Sequence, residues 1–152
     1  MAKMKKKESQ WETATNERLA EAGFRRGGAR AAVVALLDEQ SCALSAYEIE
    51  ELLAARERAV GRASIYRILE QLDELGVVSK VELGQAQARY EPIRPDHHHH
   101  HLVCRACGDV VPFTDDALED AIHRLSTAAN FEVTGHDVVL HGSCAACRAA
   151  ED

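Results

Sequence analysis

The chain has 152 residues, of which 46% are hydrophobic and 28% charged, and its formal net charge is -7. This composition supports a folded core, as one domain or two small ones, and excludes an intrinsically disordered chain. No apolar run approaches the roughly 20 residues that span a bilayer, and the basic start lacks the apolar stretch of a signal peptide, so we expect a cytoplasmic protein without membrane partners.

Charge is distributed unevenly along the chain. Residues 1–91 hold 14 Lys/Arg and 15 Asp/Glu, whereas residues 92–152 hold 4 and 10. The acidic surplus lies in the second part, and the first thirty residues are locally basic, which permits phosphate contact although the whole chain is acidic. A solvated, charged amino terminus explains the same pattern equally well.

Four helices are predicted in the first part. A weakly periodic segment from about Trp11 to Ala22 gives the first, and three apolar stripes with helical spacing give the others. The stripes run from Val33 to Leu37, from Ile49 to Leu53 and from Ile65 to Leu75. Ser45 with Glu48 is typical of a capping box at the start of the third helix, and Gly76 is placed to end the fourth.

A β-hairpin is expected next, with strands over residues 77–83 and 86–90 around a turn at Gly84 and Gln85. Helices followed by a hairpin make a winged helix-turn-helix, which we assign to residues 1–91. Pro92 and Pro95 disfavour helix before them and predict a linker over residues 92–96.

Residues 97–152 are expected to form a small α/β domain. Strands are predicted over residues 102–104, 109–113 and 137–141, with a helix over about 115–129. Such a sheet is too small to bury its faces alone, so pairing with a second copy is expected. The fold class is therefore α/β in the broad sense (α+β), with an amino-terminal winged helix and a carboxy-terminal dimerisation domain.

The helix from Gly61 to Leu75 has the pattern of a DNA-recognition helix. If its apolar residues face inward, Arg67 points to the opposite side, flanked by Tyr66 and Arg62. A guanidinium can bind guanine edges or phosphates, and a tyrosine can contact thymine methyls or a phosphate. The alternative is a solvated amphipathic helix that binds nothing.

Two C-x-x-C pairs, Cys104/Cys107 and Cys144/Cys147, predict a metal site. Four thiolates complete the closed tetrahedral shell of structural Zn²⁺, and the Gly108 that follows the first pair suits a tight turn. The alternatives are two unrelated pairs or a redox motif. The remaining cysteine is Cys42, whose role as a ligand is left open.

Five consecutive histidines, His97 to His101, precede a predicted strand. In an extended run, His97, His99 and His101 face one side and His98 and His100 the other, so one segment can serve two sites. Imidazoles bind zinc, iron, nickel or manganese, and Glu91, Glu119 and His136 are candidate partners. A zinc hydrolase or a metal buffer would use the same cluster, although the chain has no H-E-x-x-H motif.

These residues resemble the ferric uptake regulator family from about Gly23 to Cys147. The resemblance rests on the following stretches: Gly23 to Arg30, Leu44 to Ile49, Gly61 to Leu69, Arg89 to Glu91, and His97 to Gly108. It implies a homodimer that binds a double-stranded DNA operator in response to a divalent metal and represses metal-homeostasis genes. It also implies that the chain is not an enzyme and takes no small-molecule substrate.

The resemblance assigns three metal sites. Cys104, Cys107, Cys144 and Cys147 match the structural zinc site. A second site matches His98, His100, Glu119 and His136, and the regulatory site matches Glu91, His99 and His101. The expected cofactors are structural Zn²⁺ and a second divalent ion, Fe²⁺ or Zn²⁺.

On the DNA side, Tyr66 and Arg67 match the recognition-helix contacts, and Arg25 matches a basic residue near the minor groove. The full set of predicted DNA-binding residues is Arg25, Arg30, Arg62, Ser64, Tyr66 and Arg67.

The chain departs from the family pattern at several positions. Ala43 replaces a histidine of iron-type members, and Ile93 and Ser79 stand where zinc-sensing members have a cysteine and an aspartate. Peroxide sensors carry an aspartate where this chain has Pro112, which favours metal sensing over the alternative of a peroxide-stress sensor.

Overall fold

The computed structural model describes residues 9–84, 87–95 and 97–150. The chain divides into two compact units, Met1–Pro95 and Asp96–Asp152. Among the described residues, no helix combines the length and the apolar character needed to cross a membrane.

Four helices form the bulk of the first unit's described part. They are α1 (Gln10–Glu21), α2 (Gly28–Asp38), α3 (Ala46–Ala55) and α4 (Arg62–Glu74). At the start of α3, the Ser45 hydroxyl accepts from the backbone N–H of Glu48, whose carboxylate accepts from the N–H of Ser45, which is the capping box expected from the sequence. Gly76 follows α4 with φ +63°, a conformation that glycine adopts without steric cost.

A three-stranded antiparallel sheet completes this unit, in the order β1 (Leu44–Ser45), β3 (Arg89–Pro92), β2 (Val78–Val81). The core joins the four helices to the sheet through buried side chains such as Val33, Ile49, Leu69 and Tyr90. Helices with a wing of this kind form a winged helix-turn-helix.

The sheet differs from the sequence expectation in two respects. β1 is additional, because a two-residue strand leaves no periodic pattern. β3 also starts and ends later than predicted, so Pro92, expected in the linker, is its last residue and pairs with Val78. Proline is tolerated there because β1 pairs only with Arg89 and Tyr90, so no neighbouring strand needs a hydrogen-bond donor at position 92. The predicted turn residue Gln85 and the strand residue Ala86 lie outside the described residues, as does Asp96 of the predicted linker.

The second unit is a sheet with one long helix. Its strands are β4 (His100–Cys104), β5 (Val110–Phe113) and β6 (Val139–Gly142), and its helices are α5 (Asp116–Ala128) and α6 (Ala145–Ala149). β4 lies in the centre, antiparallel to β5 and parallel to β6. The short α6 was not expected from the sequence.

Burial in the second unit is confined to its central strand. Among the described residues of the second unit, only His100, His101, Val103 and Cys104 are buried, and all four lie on β4. α5 has no buried residue. The strand that carries the predicted ligands is thus also the core of this unit.

Candidate metal centres and nucleic-acid interface

The four cysteines of the two C-x-x-C pairs converge. We call Cys104, Cys107, Cys144 and Cys147 the cysteine cluster, and their sulfur atoms lie within 4.8 Å of one another. Cys104 ends β4, and Gly108 turns the chain back at φ +79°, with its N–H donating to the Cys104 carbonyl at 2.9 Å. From the other side, the backbone N–H of Cys144 donates to Sγ of Cys104 at 3.3 Å.

The sulfur spacing fits a tetrahedral zinc ion. A tetrahedron with Zn–S bonds of about 2.3 Å has edges of about 3.8 Å, and the Sγ atoms of Cys107 and Cys144 are 3.9 Å apart. All five cysteines of the chain are free thiols. The cluster can therefore hold structural Zn²⁺.

Two thiols of the cluster differ widely in acidity. Hydrogen bonds from the backbone of Cys107, and then of Cys144, lower the pKa of Cys104 to about 6. Hydrogen bonding with the Cys144 thiol, and then with the Cys107 thiol, raises the pKa of Cys147 to about 12. One thiolate is thus preformed at neutral pH, whereas another needs a cation to compensate its charge.

The second group combines three histidines with one carboxylate. We call His98, His100, Glu119 and His136 the histidine–glutamate cluster, and their ligand atoms also lie within 4.8 Å of one another. β4 supplies the buried His100, the first turn of α5 supplies Glu119, and the segment before β6 supplies His136. The hydrogen bond with His100 is the main cause that lowers the pKa of Glu119, which keeps this carboxylate ionised.

Donor separations in this cluster suit a small divalent ion. Nε2 of His100 is 2.7 Å from Oε1 of Glu119, and Nε2 of His136 is 3.0 Å from Oε2. The Nε2 atoms of His98 and His136 are 3.0 Å apart, and Nε2 of His98 is 3.5 Å from Oε1 of Glu119. Tetrahedral bonds of about 2.0–2.1 Å give edges of about 3.3 Å, so little rearrangement is needed for four ligands to meet one ion.

The alternation expected for the histidine run is present. His98 and His100 belong to the cluster just described, whereas the rings of His99 and His101 lie together with centroids 5.0 Å apart. The third predicted regulatory ligand, Glu91, lies on β3 of the first unit.

The predicted recognition helix α4 has its apolar side chains buried and a polar face exposed. Ile65, Ile68 and Leu69 are buried, whereas Arg67 is exposed and Tyr66 is 40% exposed. Ser64 lies on the same helix, with its hydroxyl 3.4 Å from Nη2 of Arg67. This face is free to contact a ligand.

Two of the predicted DNA-binding arginines already have partners within the unit. Arg62 contacts the Glu50 carboxylate through Nη2 at 2.5 Å and Nε at 2.8 Å. Nη2 of Arg30 donates to Gln71 at 2.9 Å. Arg25 offers its carbonyl oxygen to Nη1 of Arg30 at 2.5 Å.

Sequence reasoning missed Glu50 and Gln71. Glu50 offsets the charge of Arg62, and Gln71 holds Arg30 without offsetting its charge. Each lies on a different helix from its arginine, so the spacing of residues within one helix cannot predict the contact. The only signal in the sequence is that Gln71 falls on the same helical face as Ser64 and Arg67.

The comparisons with known proteins agree with this geometry. The model of the ferric uptake regulator family matches residues 21–141. The chain belongs to the ferric uptake regulator family. The ferric uptake regulation protein of Vibrio vulnificus is 32% identical over 130 residues, which cover 85% of this chain and 87% of that protein.

Two solved structures of the family are similar to this chain. The ferric uptake regulator of Helicobacter pylori, described with three functional metal-binding sites, has a TM-score of 0.78 at 26% identity and covers 95% of this chain and 97% of its own. A zinc uptake regulator complexed with zinc and DNA has a TM-score of 0.55 at 26% identity and covers 95% and 99%. Family members are dimeric, metal-responsive DNA-binding regulators and not enzymes, which removes the hydrolase alternative.

Proposed function

We propose that this chain is a cytoplasmic repressor that binds operator DNA as a homodimer when a divalent metal, Fe²⁺ or Zn²⁺, is bound. The observation that carries the proposal is the histidine–glutamate cluster, whose four donors lie within 4.8 Å in a member of a metal-responsive family. A simple metal buffer could use the same cluster but would not account for the exposed Tyr66 and Arg67 on α4. A peroxide sensor is disfavoured by Pro112, which stands where such sensors carry an aspartate.

Each cluster has a distinct role in this proposal. The cysteine cluster holds structural zinc, because four thiolates leave no open position for an exchanging ligand. The histidine–glutamate cluster forms the second site, where imidazole and carboxylate donors accept iron as well as zinc. His99 and His101 with Glu91 are the proposed regulatory ligands, an assignment supported by the family resemblance and by the 5.0 Å between the two rings.

The exposed face of α4 is the proposed DNA-reading surface. Tyr66 would contact bases in the major groove, and Ser64 and Arg67 would contact the phosphate backbone beside it. Arg25, Arg30 and Arg62 would approach phosphates from the side. Support comes from the exposure of Tyr66 and Arg67 and from the similar zinc uptake regulator that was solved with DNA.

Dimerisation is supported by apolar side chains that the second unit leaves uncovered. Val111 on β5, Leu102 on β4 and Leu140 on β6 are paired across the sheet and are 50%, 41% and 50% exposed. Leu125 and Phe131 are each 70% exposed. Large exposed apolar side chains at adjacent positions mark an interaction surface, which we propose is covered by a second copy.

Metal-dependent operator binding tests the proposal directly. Fluorescence anisotropy of a labelled promoter fragment would be measured with metal-depleted protein, with Fe²⁺ under anaerobic conditions, and with Zn²⁺. Wild-type protein is expected to bind only with metal, and Glu119→Gln is expected to need more metal to reach the same anisotropy. His123→Ala is the matched control, since His123 is exposed on α5 outside the cluster. DNA binding that ignores metal in a folded dimer would refute the proposal.

A further inference from the structure

A cavity of about 230 Å³ lies between α2 and α4 on the first unit. We call it the arginine notch, and it is lined by Arg30, Ser64, Arg67, Ile68 and Gln71. It contains two guanidinium groups, a hydroxyl and an amide, and no carboxylate. Its lining is therefore positively charged and rich in hydrogen-bond donors.

Arg30 is held firmly at one side of the notch. Nη2 donates to Oε1 of Gln71 at 2.9 Å, and Nη1 donates to the carbonyl oxygen of Arg25 at 2.5 Å. The guanidinium also lies over the Phe24 ring, 5.1 Å from its centroid. Its buried Nε has no hydrogen-bond partner among the described residues. All of these partners are neutral, so Arg30 is oriented while its charge remains available.

Four other arginines of the first unit each have a carboxylate partner, in the pairs Arg56–Glu39, Arg62–Glu50, Arg89–Glu48 and Arg94–Asp38. For Arg30 and Arg67, no ion pair exists in the described part of the chain, and the neighbour of Arg67 is the Ser64 hydroxyl at 3.4 Å. The notch is thus a place where two cations come together without an internal anion.

We infer that the arginine notch binds a phosphodiester group of the DNA backbone, and that Gln71 is the residue that positions Arg30 for it. This inference rests on the proposed DNA-binding function and specifies one contact of that surface. Guanidinium groups pair with phosphate oxygens in a planar, forked geometry. Ser64, Arg67 and Gln71 recur at helical spacing on one face of α4, so all can address the same phosphate.

The amide of Gln71 is essential to this role. A glutamate there would still hold Arg30, but it would neutralise the guanidinium as Glu50 neutralises Arg62. A neutral acceptor orients Arg30 and leaves its charge for the ligand. The contact is to the backbone, so it contributes equally to every DNA sequence.

Salt dependence of DNA affinity distinguishes a phosphate contact from base reading. Metal-loaded wild type, Arg30→Ala and Arg67→Ala would be titrated on operator and on unrelated DNA between 50 and 200 mM salt. Loss of one phosphate contact makes the plot of log affinity against log salt less steep by about one, equally for both DNAs. Arg56→Ala is the control with an unchanged slope, because Glu39 already neutralises that guanidinium. A variant that loses affinity only for the operator, or an unchanged slope, would overturn the inference.

Gln71→Leu tests the positioning role. It removes no charge, so it can lower the salt slope only by misplacing Arg30, and it should add no further loss in the Arg30→Ala background. Gln71→Glu should lower the slope while holding the arginine in place. If Gln71→Leu keeps the wild-type slope, Gln71 does not position Arg30, whatever the slope of Gln71→Glu.

A separate measurement keeps this inference apart from the proposed function. If the full-length wild-type protein binds no DNA, the proposed function fails, and inorganic phosphate is used as the probe of the notch. Saturable NMR shifts of the Arg30 and Arg67 Nε–H signals that are lost in Gln71→Leu would support the notch. Absence of these shifts in the wild type would overturn it.

Discussion

Replacing Glu50 with glutamine should strengthen DNA binding. Glu50 contacts the Arg62 guanidinium at 2.5 and 2.8 Å, and the same guanidinium lies over the Tyr47 ring, 5.1 Å from its centroid. Arg62 is the first residue of α4, where the proposed reading surface begins. The carboxylate therefore cancels a cation at the DNA face and adds repulsion toward phosphates. Glutamine keeps the shape and removes the charge.

The size of the effect follows from counterion release. One additional phosphate neutralised by Arg62 steepens the slope of log affinity against log salt by about 0.9. Relative to wild type, the gain in DNA affinity of Glu50→Gln should therefore be about 3.5-fold larger at 50 mM than at 200 mM salt. The assay is fluorescence anisotropy of operator DNA with metal-loaded protein at several salt concentrations.

Glu39→Gln is the matched control for Glu50→Gln. It releases Arg56 in the same way. Glu39, however, lies at the carboxy-terminal end of α2, about 16 Å along the helix from the amino-terminal end that carries Arg30. We expect no change in slope for that variant. If Glu50→Gln binds DNA with the wild-type slope, or more weakly while its melting temperature is unchanged, Arg62 is not at the DNA interface.

Four further predictions concern metal, assembly and stability. His99→Ala should weaken operator binding while the dimer and its cysteine-bound zinc persist, and a full metal response in reporter and anisotropy assays would contradict the sensing assignment. Leu102→Glu should shift the dimer toward monomer in sedimentation velocity, because a charge would be buried in the proposed interface. Glu57 follows α3 with φ +58°, so Glu57→Gly should stabilise the first unit by about 1 kcal/mol in thermal unfolding. Zinc retention against a chelator should decrease as the pH is lowered. Cys147, with its pKa raised to about 12, must lose a proton to bind zinc, and the preformed thiolate of Cys104 is lost as the pH drops through about 6. Equal retention at pH 8 and pH 5.5 would argue against the cysteine cluster as the zinc site.

Local signals in the sequence account for most of the fold. The capping box at Ser45 and the positive φ at Gly76 are properties of a few adjacent residues, and both are found where the sequence places them. The elements that escaped prediction are short: the two residues of β1 exist only because β3 pairs with them, and α6 has five residues. Pairing also decided the end of β3, which runs through Pro92.

For the site, the strand period was enough to separate His98 and His100 from His99 and His101. Glu119 and His136 were already candidate partners of the histidine run, but only the family resemblance assigned them to His98 and His100, since their distance in sequence carries no geometric rule. The electrostatic state of the arginines was not predictable. Whether Arg62 or Arg67 has a carboxylate neighbour depends on how α3 packs beside α4, and that is a property of the tertiary structure.

Strand β4 carries ligands of both metal clusters of the second unit. Its five residues begin with a member of one ligand cluster, His100, and end with a member of the other, Cys104, about 13 Å away along an extended backbone. A shift of this strand by one residue would turn both ligands to the wrong side at once. Removing zinc from the cysteine cluster should therefore also loosen His100, so that the histidine–glutamate cluster binds its metal ion more weakly.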